Sequence, residues 1–154
     1  WCINAVIKSR NGNPMKFALL ILGLLMSPEL LTAEEKLVVG IGGVFFRANN
    51  PSTLSAWYTE HLGISPVPSA DEEQPWQQEA GPTVFTPMHK STAYLGNPDK
   101  QWMINFRVRN LDLLVTRLRA SKIEVSDPDS YANGRFARLI DPEGNPIELW
   151  EPTS

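Results

Sequence analysis

Between Leu37 and Pro152 the apolar residues follow two rhythms. Around Leu54, Trp57, Tyr58 and Leu62, and again around Leu111, Leu114, Val115 and Leu118, they recur at steps of three and four, the spacing of one helix face. Asn50 followed by Pro51, and Asn110 before the second stripe, supply N-caps, and Gly63 suits a C-terminal stop. The pattern therefore predicts helices over Pro51–Leu62 and Leu111–Ala120. Elsewhere the rhythm is two. Trp102, Ile104, Phe106 and Val108 alternate with polar or flexible side chains and predict a strand, and the Val/Ile/Phe-rich run Leu37–Ala48, with Gly40, Gly42 and Gly43, predicts another. Phe136–Ile140 and Ile147–Trp150 flank Pro142-Glu143-Gly144-Asn145 and predict a hairpin: Pro142 presets φ at the first corner and Gly144 supplies the left-handed position. Asn133-Gly134 marks a second hairpin turn, Thr83–Thr86 a short strand, and 66–82, rich in Pro, Gln and Glu, the loosest connection.

The two halves repeat. Phe46-Arg47 falls on Phe106-Arg107, Leu54 on Leu113 and Ile64 on Ile123, an offset of about 60 residues with one small gap. Each half reads as strand, helix, then shorter strands. Alternation assigns the faces: Ile104, Phe106 and Val108 pack under the helices, as do Val44, Phe46 and Ala48, while Met103, Asn105 and Arg107, with Gly43, Phe45 and Arg47, point to the other side. Glu148, between Ile147 and Leu149, joins that second face together with Trp150. A lone carboxylate there is either a solvated residue or a site residue.

The hairpin Gly134–Glu151, the repeat, and the helix end Trp57–Gly63 (Trp-Tyr-x-x-His-Leu-Gly) resemble the vicinal-oxygen-chelate superfamily of glyoxalases, bleomycin- and fosfomycin-resistance proteins and extradiol dioxygenases. The resemblance covers nearly all of Val38–Pro152. It implies an α+β fold in which two βαβββ modules, 37–97 and 101–152, form a cup-shaped mixed β-sheet with the helices on the convex face. It further implies a single domain over 37–152 that accepts a small molecule in the cup, and a possible homodimer, for which Trp76, Trp102 and Trp150 supply apolar surface. In that family the glutamate at the Glu148 position is usually a metal ligand. Here the chain departs from the pattern. The matching first-strand positions are Gly43, with no side chain, and Met103, a soft thioether that suits zinc, nickel, magnesium and manganese badly. Thr83–Thr86 offers no carboxylate or imidazole. A divalent metal is thus possible as cofactor but unsupported by the ligand positions, since a catalytic site needs about three protein ligands and only Glu148, with His89 as a loop candidate, remains.

The candidate site is accordingly Glu148 as general base, or as partner of a cup arginine, with Arg47, Phe45, Met103, Asn105, Arg107 and Trp150 binding the substrate. Arginines, an amide and apolar walls suit a small carbonyl-bearing or anionic molecule. Two functions stay open: lyase- or isomerase-type glyoxalase-like chemistry, and non-catalytic binding or sequestration as in bleomycin-resistance proteins. His61, in the last helical turn, reads as a helix-end cation without a ligand role.

Composition narrows the partners. The chain has 154 residues, with 14 Lys+Arg against 17 Asp+Glu and a net charge of −3, so a nucleic-acid partner is not expected. Cys2 is the single cysteine, which excludes an internal disulfide and a Cys-based zinc site. Residues 1–14 read as upstream or fragment sequence. From Met15 onward, Lys16, the apolar run Phe17–Met26 and the small pair Thr32-Ala33 follow the layout of a secretory signal peptide over 15–33, so export to the periplasm or outside is expected. Without that signal, the location is cytoplasmic. The apolar run falls short of the ~20 residues of a bilayer span, so no membrane span is expected in the mature form.

Overall fold

The computed structural model describes residues 37–68 and 74–153. Residues 1–14 and the expected signal Met15–Ala33 lie outside them. The chain divides into two compact units, Trp1–Gly42 and Gly43–Ser154. Of the first, Leu37–Gly42 is described, without helix or strand. Among the described residues the second holds every regular element: α1 (Pro51–Leu62), β1 (Ile104–Arg107), α2 (Leu111–Ala120), β2 (Asp129–Tyr131), β3 (Gly134–Ile140) and β4 (Pro146–Pro152). It is an α+β unit with a four-stranded mixed sheet, ordered β1-β4-β3-β2. β1 runs parallel to β4, and the other two pairings are antiparallel.

Both helices occupy their predicted spans because their ends are set by local chemistry. The Asn50 side chain accepts from Thr53 N at 3.1 Å and Asn110 from Leu113 N at 3.0 Å, each satisfying an amide that the first helical turn leaves free. Gly63 closes α1 in the left-handed conformation at φ 67°. Matched cap to cap, Leu54 falls on Leu114 and Tyr58 on Leu118. The gapped pairing of Leu54 with Leu113 is corrected by burial, since Leu113 is 45% exposed and lies on the outer face of α2.

One core joins both helices to one face of the sheet. Leu54 and Tyr58 of α1, Leu111, Val115 and Leu118 of α2, Ala137 and Leu139 of β3, and Ile147 and Leu149 of β4 form a single buried cluster, with Phe106 and Val108 packed against it. The residues are those whose alternation points them under the helices, and their burial is the main favourable contribution to folding.

The hairpin is built as its turn demands. Gly144 adopts φ 78°, and Gly144 N and Asp141 N bond to Asp141 O and Asn145 O respectively, which closes the reversal between β3 and β4. Asp141 is buried inside it. Its Oδ1 accepts from the backbone N of Glu143 and of Asn145, both at 2.9 Å, and its Oδ2 accepts from Asn145 Nδ2 at 2.8 Å and from Tyr58 Oη at 2.9 Å.

Two predicted strands differ. Neither Leu37–Ala48 nor Thr83–Thr86 forms a strand, and Phe45 and Phe85 are 93% and 84% exposed. β-branched and aromatic content favours a strand only where a partner supplies the ladder. The β3–β4 hairpin carries its partner across a short turn, whereas these stretches need one distant in sequence. The predicted strand Trp102–Val108 is shortened to Ile104–Arg107, although Val108 N still donates to Trp150 O at 2.7 Å.

Tyr58 gives this arrangement a measurable pH signature. Burial, then the charge of Asp141 and the hydrogen bond to it, push the phenol well above its ordinary 10.0. Below pH ~10 both folded and unfolded chains keep the proton. Above it the unfolded chain loses the proton first, so the contribution fades as pH rises. Tyr58→Phe is expected to cost about 1–2 kcal/mol at pH 7. Urea unfolding should show wild type and variant converging above pH ~10; a gap that widens with pH would contradict the role given to this phenol.

Candidate functional site

The register of the sheet assembles the site. In the parallel pair Asn105 lies opposite Glu148, and in the antiparallel pair Arg138 does. All three side chains stand on the face away from the helices, because Ile147 and Leu149, the neighbours of Glu148, are fully buried beneath them. Glu148 is only 4% exposed, and a carboxylate taken out of water needs hydrogen-bond donors.

It has three. Asn105 Nδ2 donates to Oε1 at 2.7 Å. Arg138 donates to Oε2 through Nε at 3.1 Å and Nη2 at 2.9 Å. The Tyr94 hydroxyl lies across both oxygens, at 2.8 Å from Oε2 and 3.1 Å from Oε1. Arg138 also donates through Nη1 to Tyr94 O at 3.1 Å, and its guanidinium carbon sits 4.1 Å from the centre of the Tyr94 ring. Burial, followed by the hydrogen bond and charge of Glu148, raises the Tyr94 phenol above its ordinary range, against an opposing pull from Arg138. Partial burial works against the charge on Arg138, but the hydrogen bonds and charges of Glu148 and Tyr94 outweigh it and raise its pKa. Ser126 holds the strand at this point: Ser126 N donates to Arg138 O, and Arg138 N donates to Ser126 Oγ, both at 2.9 Å.

The structure brings Glu148 and Asn105 together, but the arginine beside them is Arg138 and not Arg47 or Arg107. Counting outward from Pro142–Asn145 would place Leu139 opposite Glu148; the observed connection also takes in Asp141, so Ile140 pairs with Pro146 and Arg138 falls opposite Glu148. Arg107 shares the face, yet its guanidinium donates to Pro82 O at 2.8 Å and Glu79 O at 2.5 Å. That holds the 79–82 segment, where a side chain at Gly81 would collide with the guanidinium. Arg47 and Phe45 are exposed in a stretch without regular structure and make no hydrogen bond to the cluster among the described residues. Trp150 is 9% exposed, stacks on Phe136 at an interplanar angle of 4°, and donates from Nε1 to Asn133 O at 3.0 Å. It is a packed residue on that face. His89 pairs locally, its Nδ1 lying 2.7 Å from Ser91 Oγ. Tyr94 had no sequence signal, since it stands in a turn-rich segment without periodicity.

Met103, Tyr94 and Arg138 border a groove of about 590 Å³ that continues past Ser126, Val125 and Pro146. Its volume is that of a small-molecule site.

The donor set does not fit a divalent metal. Among the described residues no three His, Cys, Asp or Glu side chains gather within reach of one ion. The neighbours of Glu148 are an amide nitrogen, a phenol and a guanidinium, whose positive charge at 2.9 Å opposes a cation on the same oxygen.

Residues 43–150 match the family described as the glyoxalase-like domain, and the chain belongs to that family, within the vicinal-oxygen-chelate superfamily. Among solved structures it is similar to TnmS3, an antibiotic binding protein from Streptomyces sp. CB03234, at 32% identity over 32% of this chain and 41% of that one, with a TM-score of 0.32. It is similar to a glyoxalase family protein from Enterococcus faecalis at 25% identity, covering 32% and 40% of the two chains, with a TM-score of 0.30. Lactoylglutathione lyase from Agrobacterium tumefaciens is 22% identical over 75% of this chain and 96% of that one, with a TM-score of 0.49. The matched part spans about two fifths of the length of the first two. No curated protein matches.

Arg138→Met keeps the aliphatic stem and removes the charge that faces Glu148. It is expected to lower stability by about 1–3 kcal/mol at neutral pH, because a buried carboxylate loses its strongest donor. The loss should shrink in a Glu148→Gln background, as a double-mutant cycle by urea unfolding would show. Equal losses in both backgrounds would mean that the pair is not coupled.

Proposed function

We propose that the protein binds a small molecule in the groove beside Glu148 and holds it without chemical change. One observation carries this reading: every side of the Glu148 carboxylate is engaged. A general base needs a lone pair directed at the substrate proton, and here the amide, the guanidinium and the phenol take up the acceptor positions. Arg138 is likewise committed to Glu148 and Tyr94 O, which removes the free cation that an anionic ligand would seek. The remaining offer is an apolar groove with a polar margin, suited to a neutral ligand. Family membership supports a small-molecule role, and the donor set favours binding over metal-dependent glyoxalase-like catalysis.

Thermal-shift screening of a neutral small-molecule collection should yield stabilising ligands whose affinity falls about 10-fold or more in Met103→Trp, which fills the groove. Small carbonyl compounds incubated with the protein in deuterium oxide, with and without zinc, nickel or manganese, should show no hydrogen exchange above background. Exchange that is metal-stimulated and lost in Glu148→Gln would replace this reading with the catalytic one.

Under the same reading the domain self-associates. Trp150 is covered within the chain, so the apolar surface for association comes instead from Phe45, Val84 and Phe85, which are largely exposed. Sedimentation at high micromolar concentration should show a dimer that Phe45→Asp with Phe85→Asp converts to monomer; a wild-type monomer would refute association.

A further inference from the structure

Of the three donors to Glu148, two are fixed by strand register. Asn105 and Arg138 sit directly opposite Glu148 on its two neighbouring strands. Tyr94 comes instead from the 89–100 connection, whose backbone hydrogen bonds are local turns such as Thr92 N to His89 O and Gly96 N to Ala93 O. No strand pairing holds it, so it is the donor that can leave at least cost. Its pose is that of a guest: the hydroxyl lies across both carboxylate oxygens, and the ring lies under the guanidinium of Arg138. The groove begins at these same two residues.

We propose that Tyr94 occupies the seat of the ligand, and that the ligand is a neutral hydroxyaromatic molecule whose phenolic hydroxyl and ring displace it. This rests on the binding role argued above and names its ligand class. Each contact selects a feature. A carboxylate saturated by donors accepts a newcomer only if it brings an O–H to replace the one lost. A guanidinium stacked at 4.1 Å favours an aromatic face over an aliphatic one. The buried charge of Glu148 rejects a carboxylate in the same position. The rest of the molecule extends along Met103, Val125 and Pro146. Because Tyr94 competes for the seat, it reduces apparent affinity by the fraction of time it is docked.

Calorimetric titration of the full chain with naphthol, methylnaphthalene and naphthoate tests this. Naphthol should bind the wild type, with methylnaphthalene and naphthoate at least 10-fold weaker. Tyr94→Phe, which keeps the ring and frees the acceptor, and Tyr94→Ala, which vacates the seat, should each tighten naphthol binding about 10-fold, or about 1.4 kcal/mol. Glu148→Gln should erase the preference of naphthol over methylnaphthalene. Should Tyr94→Ala fail to fold, Tyr94→Phe alone decides. Equal binding of naphthol and methylnaphthalene overturns the ligand class while leaving a binding groove intact. Naphthol affinity unchanged in Tyr94→Phe and Tyr94→Ala overturns the competition. Absence of naphthol binding in every variant overturns the proposal as a whole, whereas the groove itself stands or falls on the Met103→Trp result.

Discussion

The buried carboxylate of Asp141 is the point on which the rest of the sheet depends. Four donors converge on its two oxygens: two backbone amides and one side-chain amide from its own turn, and the phenol of Tyr58 from α1. A buried polar group left without partners is costly, so the turn and the helix are held in one arrangement. The same turn reaches further. Glu143 accepts from the backbone amides of Asn49 at 2.7 Å and Asn50 at 2.8 Å, just ahead of α1. Lys100 donates to Glu143 O at 3.1 Å and to Asn145 Oδ1 at 3.0 Å, tying in the approach to β1. Five residues thereby anchor a helix, a hairpin and the entry to a third strand.

That anchoring is what places the site. A turn of fixed length sets the β3–β4 register, and a slip of one residue would send Arg138 and Glu148 to opposite faces. The two buried carboxylates then serve different ends. Asp141 is surrounded by neutral donors inside the core and acts as a structural tie. Glu148 faces away from the helices and has a guanidinium and a phenol among its partners, one of them on a connection that is not part of the sheet. A saturated carboxylate beside a groove is a recognition element more readily than a reactive one, because its acceptor capacity is exchanged between partners instead of being used on a proton.

The aromatic and arginine residues around the cluster follow a similar division. Arg107 binds backbone carbonyls of the 79–82 segment and Trp150 seals the edge of the hairpin against Phe136 and Asn133. Both stand on the face predicted for them, but each is engaged in holding chain segments together. Sharing a face with a site residue does not by itself confer a site role.

What the amino-acid sequence determined alone is what interactions within a few residues decide. Asn50 and Asn110 cap helices through amides three residues on, and Pro142 with Gly144 reverses the chain, so helix bounds, hairpin and the face of Glu148 were all legible. Arg138 was not, since counting outward from Pro142–Asn145 puts Leu139 opposite Glu148, and the observed pairing of Ile140 with Pro146 shifts the register by one residue. Tertiary structure decided the rest. The strand-like composition of Leu37–Ala48 and Thr83–Thr86 could not say whether a distant partner would supply a ladder, and here they run without one. Tyr94 arrives at Glu148 across 54 residues from an aperiodic connection. No local spacing records that meeting, because it depends on how a loop closes over a sheet that must already exist.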